Sequence, residues 1–115
     1  MPTVTNAACE CAVLFADVSG STRLYESVGD AAALDTIGHC LATIRTACEG
    51  YGGRVVKTIG DEVMAVFPGA DHAAEAAAEM QARISEQPAM GRARLAIRVG
   101  FHFGPAIEVE GDVFG

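Results

Sequence analysis

The segment RVVKTIGDEVMAVF, residues 54–67, constrains the fold of this chain more than any other stretch. Two runs of β-branched and apolar residues flank Ile59-Gly60-Asp61-Glu62, a pattern typical of a β-hairpin with Gly and Asp at the turn. An earlier run, CAVLFAD over residues 11–17, is predicted to be a buried strand that ends on Asp17. The sequence therefore predicts three strands in the first 67 residues, with aspartates at the end of one and in the turn between the other two.

Helical patterns separate these strands. Residues 21–28 are predicted to form a short helix, and Asp30 is predicted to cap a longer one that stops at Gly52-Gly53. The longer helix carries an apolar stripe with steps of three and four residues. The stripe comprises Leu34, Ile37, Leu41, Ile44, Cys48 and Tyr51.

The second half of the chain continues in the same way. An alanine-rich helix is predicted over residues 72–86, with Asp71 as its N-cap. Its predicted inner face comprises Ala73, Ala77, Met80 and Ile84. A fourth strand is predicted over residues 94–104, and a hairpin return over 106–111 follows Gly104-Pro105.

The resulting order, β-αα-β-β-α-β-β, predicts an α+β fold with a ferredoxin-like split βαβ core, in which helices pack on an antiparallel-rich sheet. In that arrangement the third strand lies between the first and second and runs antiparallel to both. The end of the first strand then neighbours the start of the third. We therefore expect Asp17 and Asp61 to meet at one edge of the sheet.

Composition narrows the possible functions. The net charge of −7 argues against binding to nucleic acid or to an anionic membrane. The first ten residues lack a signal peptide pattern, and no apolar run reaches transmembrane length. The four cysteines show no CxxC spacing, which favours reduced thiols in a cytoplasmic protein. His39, His72 and His102 are interpreted as structural or solvated residues.

Two aspartates at one sheet edge repel each other unless a cation lies between them. Mg²⁺ suits such a site because it binds one or two protein carboxylates and keeps positions for water and substrate phosphates. The segment Ser19-Gly20-Ser21-Thr22 adds backbone N–H groups at a helix N-terminus, where anions are favoured. The alternative is that Asp17 only caps a helix and Asp61 is only a turn residue.

Three stretches also carry a family resemblance: VLFADVSGSTRLYE, GGRVVKTIGDEVMAVF and IRVGFHFGPAIEVEGDVFG. Together they resemble the class III nucleotidyl cyclases, the adenylate/guanylate cyclase catalytic domain, over about residues 10–115. The family pattern continues with V-N-x-x-A-R, which this chain lacks. The resemblance therefore implies that residues 1–115 form the N-terminal two-thirds of such a domain, with 1–9 as a flexible lead-in.

The resemblance also implies roles for individual residues. Asp17, the carbonyl of Val18 and Asp61 would bind two Mg²⁺ or Mn²⁺ ions per site, with the aspartates as catalytic residues. Ser19, Gly20, Ser21 and Thr22 would hold the phosphates. Lys57 and Asp112 would select the base, and their chemistry suits adenine: lysine donates to adenine N1, and aspartate accepts from the 6-amino group.

The function implied for the complete domain is conversion of ATP to cyclic AMP and pyrophosphate for cyclic-nucleotide signalling. Such domains pair head to tail as homodimers, with regulatory domains outside the region present here. The 115-residue chain alone is expected to be inactive. Two alternatives stay open: a diguanylate cyclase, which shares the split βαβ core, and a non-catalytic cyclase-like regulatory module.

Overall fold

The computed structural model of the protein describes residues 9–86, 95–109 and 112–114, with side chains described over 10–86 and 95–105. The elements within these ranges follow the predicted order and confirm the α+β fold. They are β1 (Cys9–Ser19), α1 (Ser21–Val28), α2 (Asp30–Gly50), β2 (Arg54–Ile59), β3 (Glu62–Phe67), α3 (Ala70–Ser85), β4 (Ala96–Val109) and β5 (Asp112–Phe114).

The described strands form one antiparallel sheet in the order β2-β3-β1-β4-β5. β3 lies between β1 and β2, which confirms the split βαβ arrangement. β1 is the central strand of the split core because it pairs with β3 on one side and β4 on the other. The end of β1, where Asp17 lies, therefore has β3 on one side and β4 on the other.

The two faces of the sheet differ in composition. One face packs against the helices through side chains with almost no solvent exposure, such as Leu14 on β1 and Phe67 on β3. The other, which we call the open face, carries the alternate residues of each strand, because directly opposed residues of antiparallel strands share a face. Its described residues include Val13, Phe15, Asp17, Lys57, Ile59, Glu62, Met64, Val66, Arg98, Gly100 and His102.

The buried stripe of α2 differs in part from the predicted one. Ile37, Ile44 and Cys48 are buried as predicted, but Leu34 is 59% exposed. The residues that share the buried face with them are smaller: Ala33, Cys40 and Ala47. Because residues 33, 37, 40, 44 and 47 also recur at steps of three and four, periodicity alone did not distinguish two overlapping stripes. Leu41 and Tyr51 pack at the margin of the core.

Helix starts also shift by a residue or two. Asp30 is the first residue of α2, with Gly29 before it, and Asp71 lies in the first turn of α3 after Gly69. Neither aspartate is the N-cap that the sequence predicted. Both still lie where a carboxylate is favoured by the positive end of the helix dipole. The predicted inner residues Ala73, Met80 and Ile84 of α3 are buried.

The predicted hairpin return after Gly104-Pro105 is wrong, because β4 continues through both residues to Val109. Pro105 lies opposite Glu10 of β1, whereas the described pairing with β5 begins at Ile107. Proline is tolerated where its missing N–H removes no ladder bond, as at a position with a strand on only one side. Residues 110 and 111 of the predicted return lie outside the described residues, as do residues 1–8 of the expected lead-in.

Two buried thiols lie in α2 among core residues. Cys40 and Cys48 have no solvent exposure, and Cys11 on β1 is half-buried. Burial raises the pKa of the Cys40 thiol, and it raises the pKa of Cys48 to about 11 with a smaller contribution from nearby Glu49. Both thiols are therefore protonated at neutral pH. Among the described helices, none has the length and apolarity needed to cross a membrane.

Candidate active site

The turn between β2 and β3 brings Asp61 to the end of β1. Gly60 has a φ of +56°, a conformation that favours glycine, and the chain reverses over Gly60-Asp61. The backbone N–H of Val18 donates to the carbonyl oxygen of Asp61 at 3.1 Å, directly after the register pair Asp17 and Glu62. Asp17 and Asp61 therefore lie at one edge of the sheet, as the topology predicts.

A cation that the sequence did not single out accompanies Asp17. Arg98 lies opposite Asp17 in β4, and its Nη2 is 3.6 Å from Asp17 Oδ2. The Asp17 side chain is 40% exposed and that of Arg98 is 79% exposed, so both groups reach solvent. The sequence placed Arg98 in a predicted strand but did not give the register of that strand against β1. The pairing of Arg98 with Asp17 could therefore not be predicted.

The segment after Asp17 joins the sheet edge to a helix N-terminus. Gly20, with a φ of +92°, separates Ser19 at the end of β1 from Ser21 and Thr22, the first residues of α1. The first N–H groups of a helix have no partner within the helix and carry its positive dipole end. Ser19 Oγ donates to the Ala96 carbonyl oxygen at 3.3 Å, which ties this segment to β4.

Lys57 lies on the open face because of a β-bulge. The register shifts between Val55, which is opposite Ala65, and Lys57, which is opposite Met64. Without the extra residue, Lys57 would share the helix-covered face with Val55. The half-buried Lys57 side chain instead lines a cavity of about 10 Å³ together with Phe15, Ile59, Glu62 and Met64.

Glu62, which the sequence predicted only as part of the turn, is a second residue at this site. The structure makes it the first residue of β3, where it shares the cavity with Lys57 and lies opposite Asp17. Asp112, by contrast, begins β5 opposite Val109, and its side chain lies outside the described part of the chain. Its predicted role in base selection, like those of the other site residues, stays a prediction.

The donor set of this edge fits a hard divalent cation. Asp17 and Asp61 offer carboxylate oxygens, the ligands that Mg²⁺ and Mn²⁺ prefer. Over residues with described side chains, no group of three or more His, Cys, Asp and Glu is arranged to hold a metal ion. Two carboxylates are nevertheless sufficient for Mg²⁺, which completes its coordination with water and substrate phosphates.

Comparison with known proteins agrees with this geometry. The family model of the adenylate and guanylate cyclase catalytic domain matches residues 4–112. An uncharacterized protein of Mycobacterium tuberculosis (strain ATCC 25618 / H37Rv) is 32% identical over 111 residues, 96% of this chain and 28% of that protein. An adenylate cyclase of Streptomyces coelicolor is 35% identical over 104 residues, 90% of this chain and 26% of that protein.

A solved structure extends the comparison to the fold. The crystal structure of an adenylate/guanylate cyclase/hydrolase from Silicibacter pomeroyi superposes with a TM-score of 0.74 and is 31% identical, covering 94% of this chain and 64% of that one. The chain spans about a quarter of the length of the curated relatives that it matches. Since the family model covers nearly all of residues 1–115, the chain belongs to the adenylate and guanylate cyclase catalytic domain family.

Proposed function

We propose that the complete domain containing this chain converts ATP to cyclic AMP and pyrophosphate. The observation that carries the proposal is the hydrogen bond between Val18 and Asp61, which joins the two aspartates' backbone segments beside a helix N-terminus. The similar Streptomyces coelicolor protein is an adenylate cyclase, which favours ATP as the substrate.

Asp17, Asp61 and the carbonyl of Val18 would hold two Mg²⁺ or Mn²⁺ ions. When bound, such ions lower the pKa of the attacking ribose 3′-hydroxyl and neutralise charge on the phosphates. The contribution of the chain is positional. The buried strand β1 fixes Asp17 through its neighbours Ala16 and Val18, which are 0% and 4% exposed. The hairpin turn fixes Asp61.

The phosphates of ATP would meet positive potential at the same edge. Ser19, Gly20, Ser21 and Thr22 would present N–H and hydroxyl donors from the start of α1. Arg98 adds a mobile cation beside Asp17, since its side chain is 79% exposed and long enough to reorient. A chain with a net charge of −7 needs such local compensation to bind a triphosphate.

Lys57 and Asp112 would read the base. Lysine can only donate and an ionised aspartate can only accept, so the pair complements N1 and the 6-amino group of adenine. Guanine presents the opposite pattern and would leave unpaired groups, which weakens GTP binding and gives selectivity for ATP. Lys57 lies on the open face beside Phe15 and Met64, so a base that meets Lys57 would also contact apolar side chains.

We further propose that two such domains pair head to tail, so that metal-binding aspartates of one chain face the base-selecting residues of the other. Exposed apolar side chains on the open face support a partner there: Phe15 is 39% exposed and Ile59 is 58% exposed. Residues 1–115 would form the N-terminal two-thirds of this domain, with the residues before β1 as a lead-in and regulatory domains elsewhere in the protein. We place the domain in the cytoplasm, where ATP is abundant and thiols stay reduced.

The test is product formation by the complete domain with ATP and Mg²⁺ or Mn²⁺, measured by chromatography and mass spectrometry. We expect cyclic AMP and pyrophosphate in equal amounts. Asp61→Asn should abolish both products, whereas the matched control Asp71→Asn, on the exposed start of α3, should keep them. Cyclic diguanylate from GTP would instead identify a diguanylate cyclase, and no product with any nucleotide would identify a regulatory module.

A further inference from the structure

Glu62 and Lys57 are diagonal neighbours on the open face of the sheet. Lys57 lies opposite Met64, and Ile59 lies opposite Glu62, so Glu62 is two residues from the direct partner of Lys57. Side chains at such diagonal positions are about 7–8 Å apart at their bases, within reach of a lysine and a glutamate. Both side chains are half-buried and line the same small cavity.

Charged side chains flank Glu62 on both sides of β3 on the open face. On the β1 side Glu62 lies opposite Asp17, which repels it, and Arg98 lies beyond Asp17 on β4. On the β2 side lie Ile59 and Lys57. Among the residues that line the cavity, Lys57 is the cation and Glu62 is the anion. The Glu62 carboxylate is therefore repelled from one side and attracted to the lysine on the other.

We propose that Glu62 is a positioning residue for Lys57 and thereby a determinant of base specificity. This inference rests on the proposed function, in which Lys57 reads the base. The Glu62 carboxylate accepts a hydrogen bond from the Lys57 ammonium, and the remaining N–H groups point out of the cavity towards an acceptor such as adenine N1. A lysine has many rotamers, and a fixed partner lowers the entropy that it loses when the base binds.

The bulge in β2 makes this pairing possible. It turns Lys57 to the open face opposite Met64, two residues from Glu62 at the start of β3. In a regular hairpin Lys57 would point to the helix-covered face. A bulge that re-aims one side chain beside a catalytic edge is typical of functional sites.

The test uses Glu62→Gln in the complete domain, with kcat and KM measured for ATP and GTP. Glutamine has nearly the same shape but no charge, so the fold is expected to persist. We expect the KM for ATP to rise on the order of 10-fold while that for GTP changes little, because the base contact exists in both ground and transition states. Glu75→Gln, an exposed control on α3, should leave the KM values for ATP and for GTP unchanged.

The outcomes separate the inference from the proposed function. Suppose that Lys57→Glu lowers the ratio of kcat/KM for ATP to kcat/KM for GTP but Glu62→Gln leaves this ratio unchanged. That result overturns the role of Glu62 and leaves the proposed cyclase function standing. A changed Mg²⁺ requirement with an unchanged ratio also overturns it, because Glu62 would then act on Asp17. An unaltered domain without cyclase activity contradicts the proposed function itself. Should Glu62→Gln fail to fold, Glu62→Asp is measured instead: its shorter side chain weakens the pairing with Lys57 and is expected to raise the KM for ATP by a smaller factor, and an unchanged KM in the folded variant overturns the role of Glu62.

Discussion

The substitution Asp17→Asn should separate catalysis from stability. The Asp17 side chain is 40% exposed, and its described ion pair with Arg98 spans 3.6 Å between two groups that both reach solvent. Pairs of this kind contribute about 0–1 kcal/mol to the free energy of unfolding. The substitution also removes repulsion from Glu62, which lies opposite. We therefore expect a change in unfolding free energy of less than about 1 kcal/mol.

The effect on activity should be far larger. Loss of a metal-binding carboxylate removes transition-state stabilisation worth several kcal/mol, which lowers kcat on the order of 10³-fold or more. The assay is turnover of the complete domain at saturating Mg²⁺, paired with urea unfolding of the same sample. Asp35→Asn is a matched control, because Asp35 is also exposed and lies 3.9 Å from His39.

Two results would refute this reasoning. Activity within 10-fold of the unaltered domain would show that Asp17 does not hold a catalytic ion. A loss of about 3 kcal/mol of stability, comparable to truncation of the fully buried Leu14 on the same strand, would show that Asp17 is a structural residue.

Three further predictions concern the core and the base site. Gly53→Ala should destabilise the fold by about 1 kcal/mol or more in urea unfolding, since a Cβ there would lie 2.6 Å from Phe67 Cζ and 2.9 Å from the Cys48 carbonyl oxygen; unchanged stability would contradict this packing. The raised pKa of Cys48, about 11 against 9.0 for an unperturbed thiol, predicts that the contribution of this residue to the unfolding free energy is constant below about pH 9 and falls as the pH rises from 9 to 11, because the unfolded thiol ionises first. Cys48→Ala should lose the part of this pH dependence that Cys48 contributes and keep the part from the buried Cys40 thiol, which pH-resolved denaturation would detect. Lys57→Glu should cut ATP turnover and relax the preference over GTP in a competition assay, and an unchanged preference would contradict base reading by Lys57.

The strongest local sequence patterns were sufficient to predict the architecture of the fold. The Gly60-Asp61 turn between two β-branched runs predicted the hairpin, and the order of elements then placed Asp17 beside it. Both inferences depend on features within a few residues of each other and on a topological rule, so no side-chain detail was needed.

Features that depend on the pairing register of the strands could not be predicted from the sequence. Arg98 and Glu62 became site residues only when β4 and β3 were aligned with β1. The bulge before Lys57 places this side chain on the face opposite to the one that regular strand alternation predicts, and no residue type in that segment indicates a bulge. The exposure of Leu34 has a similar origin, because two overlapping helical stripes fit the same apolar pattern and tertiary packing chose between them.

Subunit complementation tests the central claim most directly, namely an active site that two chains build together for ATP cyclisation. Asp17→Asn and Lys57→Glu are each expected to inactivate the complete domain. After mixing and subunit exchange, half of the dimers would be mixed and each would carry one intact site, so activity should recover to about a quarter of normal in a two-fold dimer. Exchange is verified independently by mass spectrometry of isotope-labelled subunits. No recovery despite proven exchange would contradict the shared site.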